Sequence, residues 1–361
     1  MKILTVLGTR PEIIRLSCII RQIDEYADQI LVFTGQNFEP GLGRAFFDEL
    51  KLRPPDESWG IRSVSAHAQI ARMYEQMGET LARVNPDRVL ILGDTNSGLT
   101  ALMAARNQIP VYHLEAGNRA YDLRVPEEVN RRVIDHVSRV LMPYTYRSQE
   151  NLVKEGIERQ RIVVVGNPIY EVMQCYHALI VGSHALNEFG VHPSQYFLAT
   201  LHRAETVDNP MLLRQVISAL FQVVDTWELP LVLSLHPRTR ARLQELGLSL
   251  QREGIIVTDP LSFGDFVRLE QDARMVLTDS GTVQEECAIL RVPNITLRHV
   301  TERPETLECG SNILAGTESS SILRAARLAL SPARSNWTPP PEYLIPDVSH
   351  IVSGVLLGEA L

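Results

Sequence analysis

What most constrains this chain is a unit that recurs along its length: a short, largely apolar run, a turn of small or polar residues, then a helical stretch. Lys2–Leu7 is such a run, without the alternation of a half-solvated strand. Gly8-Thr9-Arg10-Pro11-Glu12 then turns into a helix with Ile13, Ile14, Leu16 and Ile19 on its apolar side. Runs without alternation belong to strands covered on both faces, as in parallel sheets. Ile30–Thr34, Arg88–Leu92, Val111–Leu114, Arg139–Met142 and Arg161–Val165 repeat the pattern, with helices expected around Gly43–Leu50, Ser65–Arg83 and Ser97–Arg106. The βαβα alternation, with no paired short strands, predicts an α/β fold with parallel sheets.

Gly166-Asn167-Pro168 reads as a switch between domains, and the plan then repeats. Tyr196–Leu201, Leu231–Leu235, Ile255–Val257, Met275–Thr278 and Asn294–Leu297 are the second set of strands, the last of these closing the sheet. Helices are expected at Pro210–Thr226 and from Gly264. Pro332–Pro341 reads as a Pro-rich connector, and Ser349–Leu357 as a final apolar helix packing across the domains. The expected organisation is two Rossmann-like domains, residues 1–168 and 169–345, facing a central cleft, with residues 346–361 as the terminal helix.

The chain has 361 residues, enough for two domains. Apolar residues are 45% and charged residues 22%, a globular profile, and the net charge of −8 argues against a nucleic-acid partner. The apolar start is too short for a signal peptide and no run approaches a membrane span, so the expectation is a cytoplasmic protein. Cys18, Cys175, Cys287 and Cys309 are scattered without metal-ligand spacing and read as reduced, mostly buried thiols.

Candidate chemistry gathers where strands end. Asp94 follows the Arg88–Leu92 strand and Glu115 the Val111–Leu114 strand, the places where open α/β sheets put their ligands. Pro126-Glu127-Glu128-Val-Asn130-Arg131-Arg132 opens a helix, with Pro at its first turn and two acids favoured by the dipole. Glu127 and Arg131 share one face, as do Glu128 and Arg132. Thr9 and Glu12 have capping-box spacing, and Arg10 at that helix N-terminus, with Arg15 a turn on, suits an anion.

In the second half, Asp279-Ser280-Gly281-Thr282 joins a strand to a helix, so the N–H groups of Ser280, Gly281 and Thr282 are expected to point at a diphosphate. Glu286, a turn further, is placed to accept from ribose hydroxyls. His202 and His236 each close a strand. Neither has a Cys, Asp or Glu at ligand spacing, so no metal site is expected. Arg298 and Arg303 follow the last strand and have the planar fork suited to phosphate. Together these read as a nucleotide-sugar site, with the diphosphate held from one domain and acid/base groups supplied by the other.

Eight ordered motifs resemble the non-hydrolysing UDP-N-acetylglucosamine 2-epimerases over nearly the whole chain. They are Gly8-Thr-Arg-Pro-Glu12, Gly93-Asp94-Thr95, Glu115-Ala-Gly117, Pro126-Glu-Glu-Val-Asn-Arg131, His202-Arg203-Ala-Glu205, Asp279-Ser-Gly281, Gln284-Glu-Glu286 and Thr301-Glu-Arg-Pro-Glu305. The resemblance implies a GT-B arrangement, a homodimer, no cofactor and a UDP-sugar substrate. It implies inversion at C2 of a UDP-activated 2-acetamido sugar, by elimination of UDP to a 2-acetamidoglycal and re-addition. Carried over by position, Asp94, Glu115 and Glu127 are the acid/base candidates, oriented by Arg131, with His202 serving the diphosphate or proton transfer. Arg10, Ser280, Gly281, Thr282, Glu286 and Arg303 then look like UDP contacts.

The chain departs from the family pattern in places. Arg15 replaces a usual Lys, Ser280-Gly281-Thr282 replaces S-G-G, and the loop Asp122-Leu-Arg-Val125 is short. Glu115-Ala-Gly-Asn-Arg119 with Arg124-Val-Pro-Glu-Glu128 looks more like the branch that forms UDP-N-acetyl-L-fucosamine. Gln36 fits the family's effector site, whereas Glu39 stands where Gln is common. A glycosyltransferase on the same fold, or a UDP-sugar sensor without turnover, are the competing readings.

Overall fold

The computed structural model describes residues 1–36, 40–61, 65–332 and 336–359; Asn37, Glu39 and residues 333–335 of the Pro-rich connector lie outside them. The chain forms two compact units, Met1–Cys175 with Pro341–Leu361, and Tyr176–Pro340.

The first unit holds a six-stranded parallel sheet: β1 (Lys2–Leu7), β2 (Asp28–Phe33), β3 (Glu57–Ser58), β4 (Arg88–Leu92), β5 (Val111–Leu114) and β6 (Val140–Met142). Its spatial order is β3-β2-β1-β4-β5-β6. The second unit holds β7 (Phe197–Leu201), β8 (Leu231–Leu235), β9 (Ile255–Thr258), β10 (Met275–Thr278), β11 (Asn294–Thr296) and β12 (Asn312–Leu314), in the order β12-β11-β10-β7-β8-β9. Counted from its own first strand, each sheet reads 3-2-1-4-5-6, the doubly wound order of dinucleotide-binding folds. The α/β reading and the two Rossmann-like halves are therefore correct.

The missing alternation has a packing cause. In the second unit Phe197, Ala199 and Leu201 face Leu213, Val216, Leu220 and Ile322. Tyr196 and Leu198 face Phe266, Leu269, Val283 and Cys287 on the other side. Helices cover both faces, so both sets of alternate residues are apolar. In the first unit Leu4, Val6, Val32, Val89 and Ile91 pack under Met77, Leu81, Leu99, Ala104 and Ile134.

Three strand assignments need correction. Arg161–Val165 does not join the sheet: a 3-10 turn occupies Arg159–Arg161, and Ile162 makes only an isolated bridge to Leu141. The sixth strand of the first unit is instead Glu57–Ser58 at the far edge, two residues long and paired to Val32 and Phe33. Asn294–Leu297 is not the last strand, because Asn312–Leu314 pairs parallel beside it. Short edge strands are held by backbone pairing and carry little apolar signal of their own.

The final helix is Val348–Leu357. It packs on the Arg10–Tyr26 helix within the first unit, and Arg88 donates to the carbonyl of Leu356. Among the described residues no helix is long and apolar enough to cross a membrane.

Candidate active site

In each unit the candidate groups sit on loops leaving the carboxyl ends of strands that flank the reversal of strand order. In the first unit these strands are β1 and β4, with β5 next to β4. Crevices of open α/β sheets form at such reversals.

The loop after β1 is set by Glu12. Its Oε2 accepts the N–H of Gly8 at 2.8 Å and of Thr9 at 2.6 Å, closing the expected capping box on the Arg10–Tyr26 helix. Its Oε1 accepts from Thr95 Oγ1 at 2.8 Å, which ties this loop to the one after β4. Burial pushes the Glu12 carboxyl up to about 7 despite these donors. Gly8 is required by packing, since a Cβ there would lie 2.1 Å from Ser97 Oγ and 2.3 Å from Thr34 Oγ1. Arg10 begins the helix with its guanidinium 5.3 Å from the ring centre of Phe46. Gln36 accepts from Ser97 N and Oγ, both at 3.0 Å.

The centre of the first unit is a cluster of two acids and two arginines. Arg131 bridges both acids: it donates to Asp94 Oδ2, and reaches Glu115 Oε1 at 3.0 Å and the Glu115 carbonyl at 2.5 Å. Arg15 holds the other oxygen, Glu115 Oε2, at 2.8 Å, and also touches Tyr144 Oη at 3.3 Å. Arg15, Arg131 and Glu115 are buried, while Asp94 keeps some exposure. Glu115 has φ +67°, left-handed backbone for a residue with a Cβ. Arg131 thus lies between Asp94 and Glu115, and the buried Arg15, read from the sequence as suited to an anion, faces the Glu115 carboxylate. Glu127 lies half-buried in the first turn of the Pro126–Val137 helix, one turn before Arg131. Glu128 pairs with Arg132 at 2.9 Å, as its spacing implied, but is buried and also accepts the N–H of Ala120 at 2.8 Å.

Sequence reading missed the support beneath this cluster. His113, fully buried in β5, sits with Nδ1 2.8 Å from Asp135 and Nε2 2.8 Å from the Gly93 carbonyl. Asp135 also receives the N–H of Gly117 at 3.2 Å and pairs with Arg119 at 2.7 Å. Burial would raise the Asp135 carboxyl, but His113 and Arg119 outweigh it and hold it below its usual range. The two loops that carry Asp94 and Glu115 are thus pinned to one buried ion pair. A lone histidine inside a four-residue apolar strand was the available signal.

In the second unit the reversal falls between β7 and β10. Asp279, fully buried after β10, accepts the N–H groups of His202 at 2.8 Å and Arg203 at 2.7 Å and pairs with His202 Nδ1 at 2.9 Å. Burial would raise its carboxyl, but His202 and these donors hold it low. His202 is therefore oriented by an acid on the neighbouring strand, and its ring centre lies 6.3 Å from that of His236. His236 caps the Pro237–Glu245 helix through Nδ1.

Ser280 precedes the Gly281–Leu290 helix, but its N–H is given to Thr278 Oγ1 at 2.9 Å. That expectation is corrected: the turn commits this donor internally and leaves Gly281 and Thr282 at the helix start. Gly281 has helical backbone, and a Cβ there would meet nothing nearer than 3.8 Å. Neither conformation nor packing within the unit demands a glycine. Glu286 is buried beside Glu270, whose carboxyl is pushed well up by burial and by the Glu286 charge.

Arg298 is buried and bound to Glu302 by both terminal nitrogens, at 3.0 and 3.2 Å, with Glu205 at 3.2 Å. Arg303 is bound to Glu285. Both expected phosphate cations are thus paired with carboxylates inside the unit, Arg303 through its Nε, and Arg298 braces the loop that carries Arg303.

Residues 21–348 match the family described as UDP-N-acetylglucosamine 2-epimerase. A UDP-N-acetylglucosamine 2-epimerase of Methanocaldococcus jannaschii is 39% identical over 348 residues, covering 94% of this chain and 95% of that protein. A solved structure of the enzyme from that organism, in complex with UDP-GlcNAc and UDP, superposes with a TM-score of 0.94 at 37% identity and 99% coverage of both chains. A UDP-2,3-diacetamido-2,3-dideoxy-D-glucuronate 2-epimerase of Pseudomonas aeruginosa is 38% identical over 91% of this chain and 92% of its own.

Proposed function

The chain belongs to the UDP-N-acetylglucosamine 2-epimerase family, and we propose that it inverts C2 of a UDP-activated 2-acetamido sugar. The observation that carries this reading is the buried cluster of Asp94 and Glu115 bridged by Arg131 at the ends of adjacent strands. A C2–H is a poor acid, so its removal calls for a carboxylate fixed in place before the reaction begins.

Asp94, Glu115 and Glu127 are the acid/base groups. One carboxylate takes the C2 proton, the electron pair becomes the C1–C2 double bond, and the C1–oxygen bond breaks with UDP leaving. UDP adds back to C1 as a second group protonates C2 from the other face. Arg131 orients the acids and Arg15 holds Glu115 against it. The diphosphate is served by Arg10, by His202 as oriented by Asp279, by the Ser280 hydroxyl, by Gly281 and Thr282 at the helix start, and by Arg303, while Glu286 takes the ribose. Gly281 supports the phosphate reading because its missing Cβ serves nothing inside its own unit. The 2,3-diacetamido glucuronate relative favours a panel of substrates over one, and the UDP-N-acetyl-L-fucosamine pair belongs in it.

The test is NMR of the protein with UDP-N-acetylhexosamines and the diacetamido glucuronate in D₂O, without added cofactor. Deuterium at C2 together with the 2-epimer is expected for at least one sugar. Transfer to an acceptor without C2 exchange would make the chain a glycosyltransferase. Tight UDP binding with no exchange on any sugar would make it a sensor, and either result overturns the proposal.

A further inference from the structure

Cys18 and Cys175 stand far apart in the chain, and their spacing gives no hint of a shared site. The first unit nevertheless folds them together with Glu171. Cys18 is buried on the Arg10–Tyr26 helix, three residues after Arg15. Glu171 and Cys175 lie one turn apart on the Ile169–Cys175 helix and share a face. The two helices pack on each other. The two Sγ atoms and a carboxylate oxygen of Glu171 all lie within 4.8 Å of one another.

We propose that Cys18, Cys175 and Glu171 form a binding site for a soft divalent cation, with Zn²⁺ the best fit to the donors. Two thiolates with one carboxylate select zinc over Mg²⁺ and Ca²⁺, which take oxygen ligands. In a tetrahedral zinc site the ligand atoms stand about 3.5–3.8 Å apart, so these three need close by only about an ångström. Glu171 is already fixed: its Oε2 accepts the N–H of Ser349 at 2.7 Å, and Ser349 Oγ donates to its Oε1. Hydrogen bonds of this kind orient the ligating carboxylate in metal sites. Cys175 is exposed, which gives the ion a way in and leaves a fourth position for water.

The binding step balances as Zn²⁺ displacing one proton from each thiol while the carboxylate adds directly. Zinc affinity therefore rises with pH. An ion here links the helix that carries Arg15 to the last helix of the unit before the chain enters the second. The site takes no part in the proposed epimerisation and stands independently of it.

The experiment uses the full chain, reduced and stripped with a chelator, titrated with Co²⁺ as a spectral probe and then with Zn²⁺. The proposal expects one equivalent of Co²⁺, a thiolate-to-cobalt charge-transfer band that Zn²⁺ abolishes, and a Zn²⁺-induced rise in melting temperature. Band and rise should both vanish in Cys175→Ser, whose changed side chain is exposed and leaves the fold intact. Glu171→Gln should keep the band and weaken the affinity. Mg²⁺ should do nothing. Binding without the band, or a band that survives in Cys175→Ser, would overturn the site. A Cys18–Cys175 disulfide that forms under air at a rate Zn²⁺ does not slow would overturn it in favour of thiol oxidation.

Discussion

Arg15 and Glu115, a hundred residues apart in the chain, meet at 2.8 Å with their side chains 1% and 7% exposed. Removing one member of a buried pair strands the other charge. Arg15→Met should therefore cost about 3 kcal/mol, the lower end of the usual range because Arg131 still holds Glu115. Arg15→Lys restores the charge without the planar fork and should recover most of that stability. Denaturant unfolding measures the first effect, and turnover of the two variants shows whether Glu115 needs the fork or only the charge.

Gly281→Ala separates the two reasons for a glycine. Its backbone is helical and the added Cβ meets only ordinary contacts, so the variant should gain about 0.4–1 kcal/mol of stability. If a diphosphate approaches this turn, UDP affinity should fall at the same time. Calorimetry with UDP beside a thermal melt decides it: unchanged UDP affinity would remove Gly281 from the binding site. Gly8→Ala is the control, because its Cβ would strike Ser97 and Thr34 and destabilise the fold.

Glu270 offers a test through pH. Burial and the neighbouring Glu286 raise its carboxyl, so the native state prefers it protonated. The stability this contributes is present below the ordinary carboxylate range near pH ~4.3 and is lost as the pH rises through the raised value. Glu270→Gln keeps a neutral hydrogen-bonding group and should cost less than about 1.5 kcal/mol at low pH. It should gain on the parent as the pH rises, visible in unfolding curves collected across the pH range. Parallel curves for the two proteins would contradict an uncharged Glu270.

The acid limb runs the other way. Burial would raise Glu302, but Arg203 and Arg298 dominate and hold it well below its usual range. Asp279, Asp135 and Glu155 are also held low. Such carboxylates stabilise the fold above their unfolded pKa values, near pH ~4, and that stability is lost as the pH falls through the depressed values. Glu302→Gln should flatten this acid limb while lowering stability at neutral pH, because Arg298 then keeps, among the described residues, Glu205 as its acidic partner. An unchanged limb would mean that Glu302 is not ionised in the fold.

What the sequence made legible follows from periodicity and from strand ends. Lys2–Leu7 is recovered residue for residue, and the Val111–Leu114 strand places Glu115 at its carboxyl end. Asp94 falls in the same topological place on β4. Partnership across loops was not legible. Helical spacing links Arg131 to Glu127 alone; only the resemblance points it at Asp94 and Glu115, because those contacts depend on β4 and β5 lying side by side. Asp279 stands out in the sequence only as part of its motif, and its service to His202 appears once β7 and β10 lie side by side. Glu57–Ser58 and Asn312–Leu314 escaped notice because two or three residues at a sheet edge leave no period to detect.

Glu115 keeps a backbone angle that glycine or asparagine would adopt more easily, at a cost on the order of 1 kcal/mol. Glu115→Gly would relax the main chain there, but it would also strand Arg15 and Arg131, at about 3–5 kcal/mol, more than the relaxation returns. The strained angle is therefore held in place by the two arginines, and any programme to toughen this protein should leave position 115 unchanged.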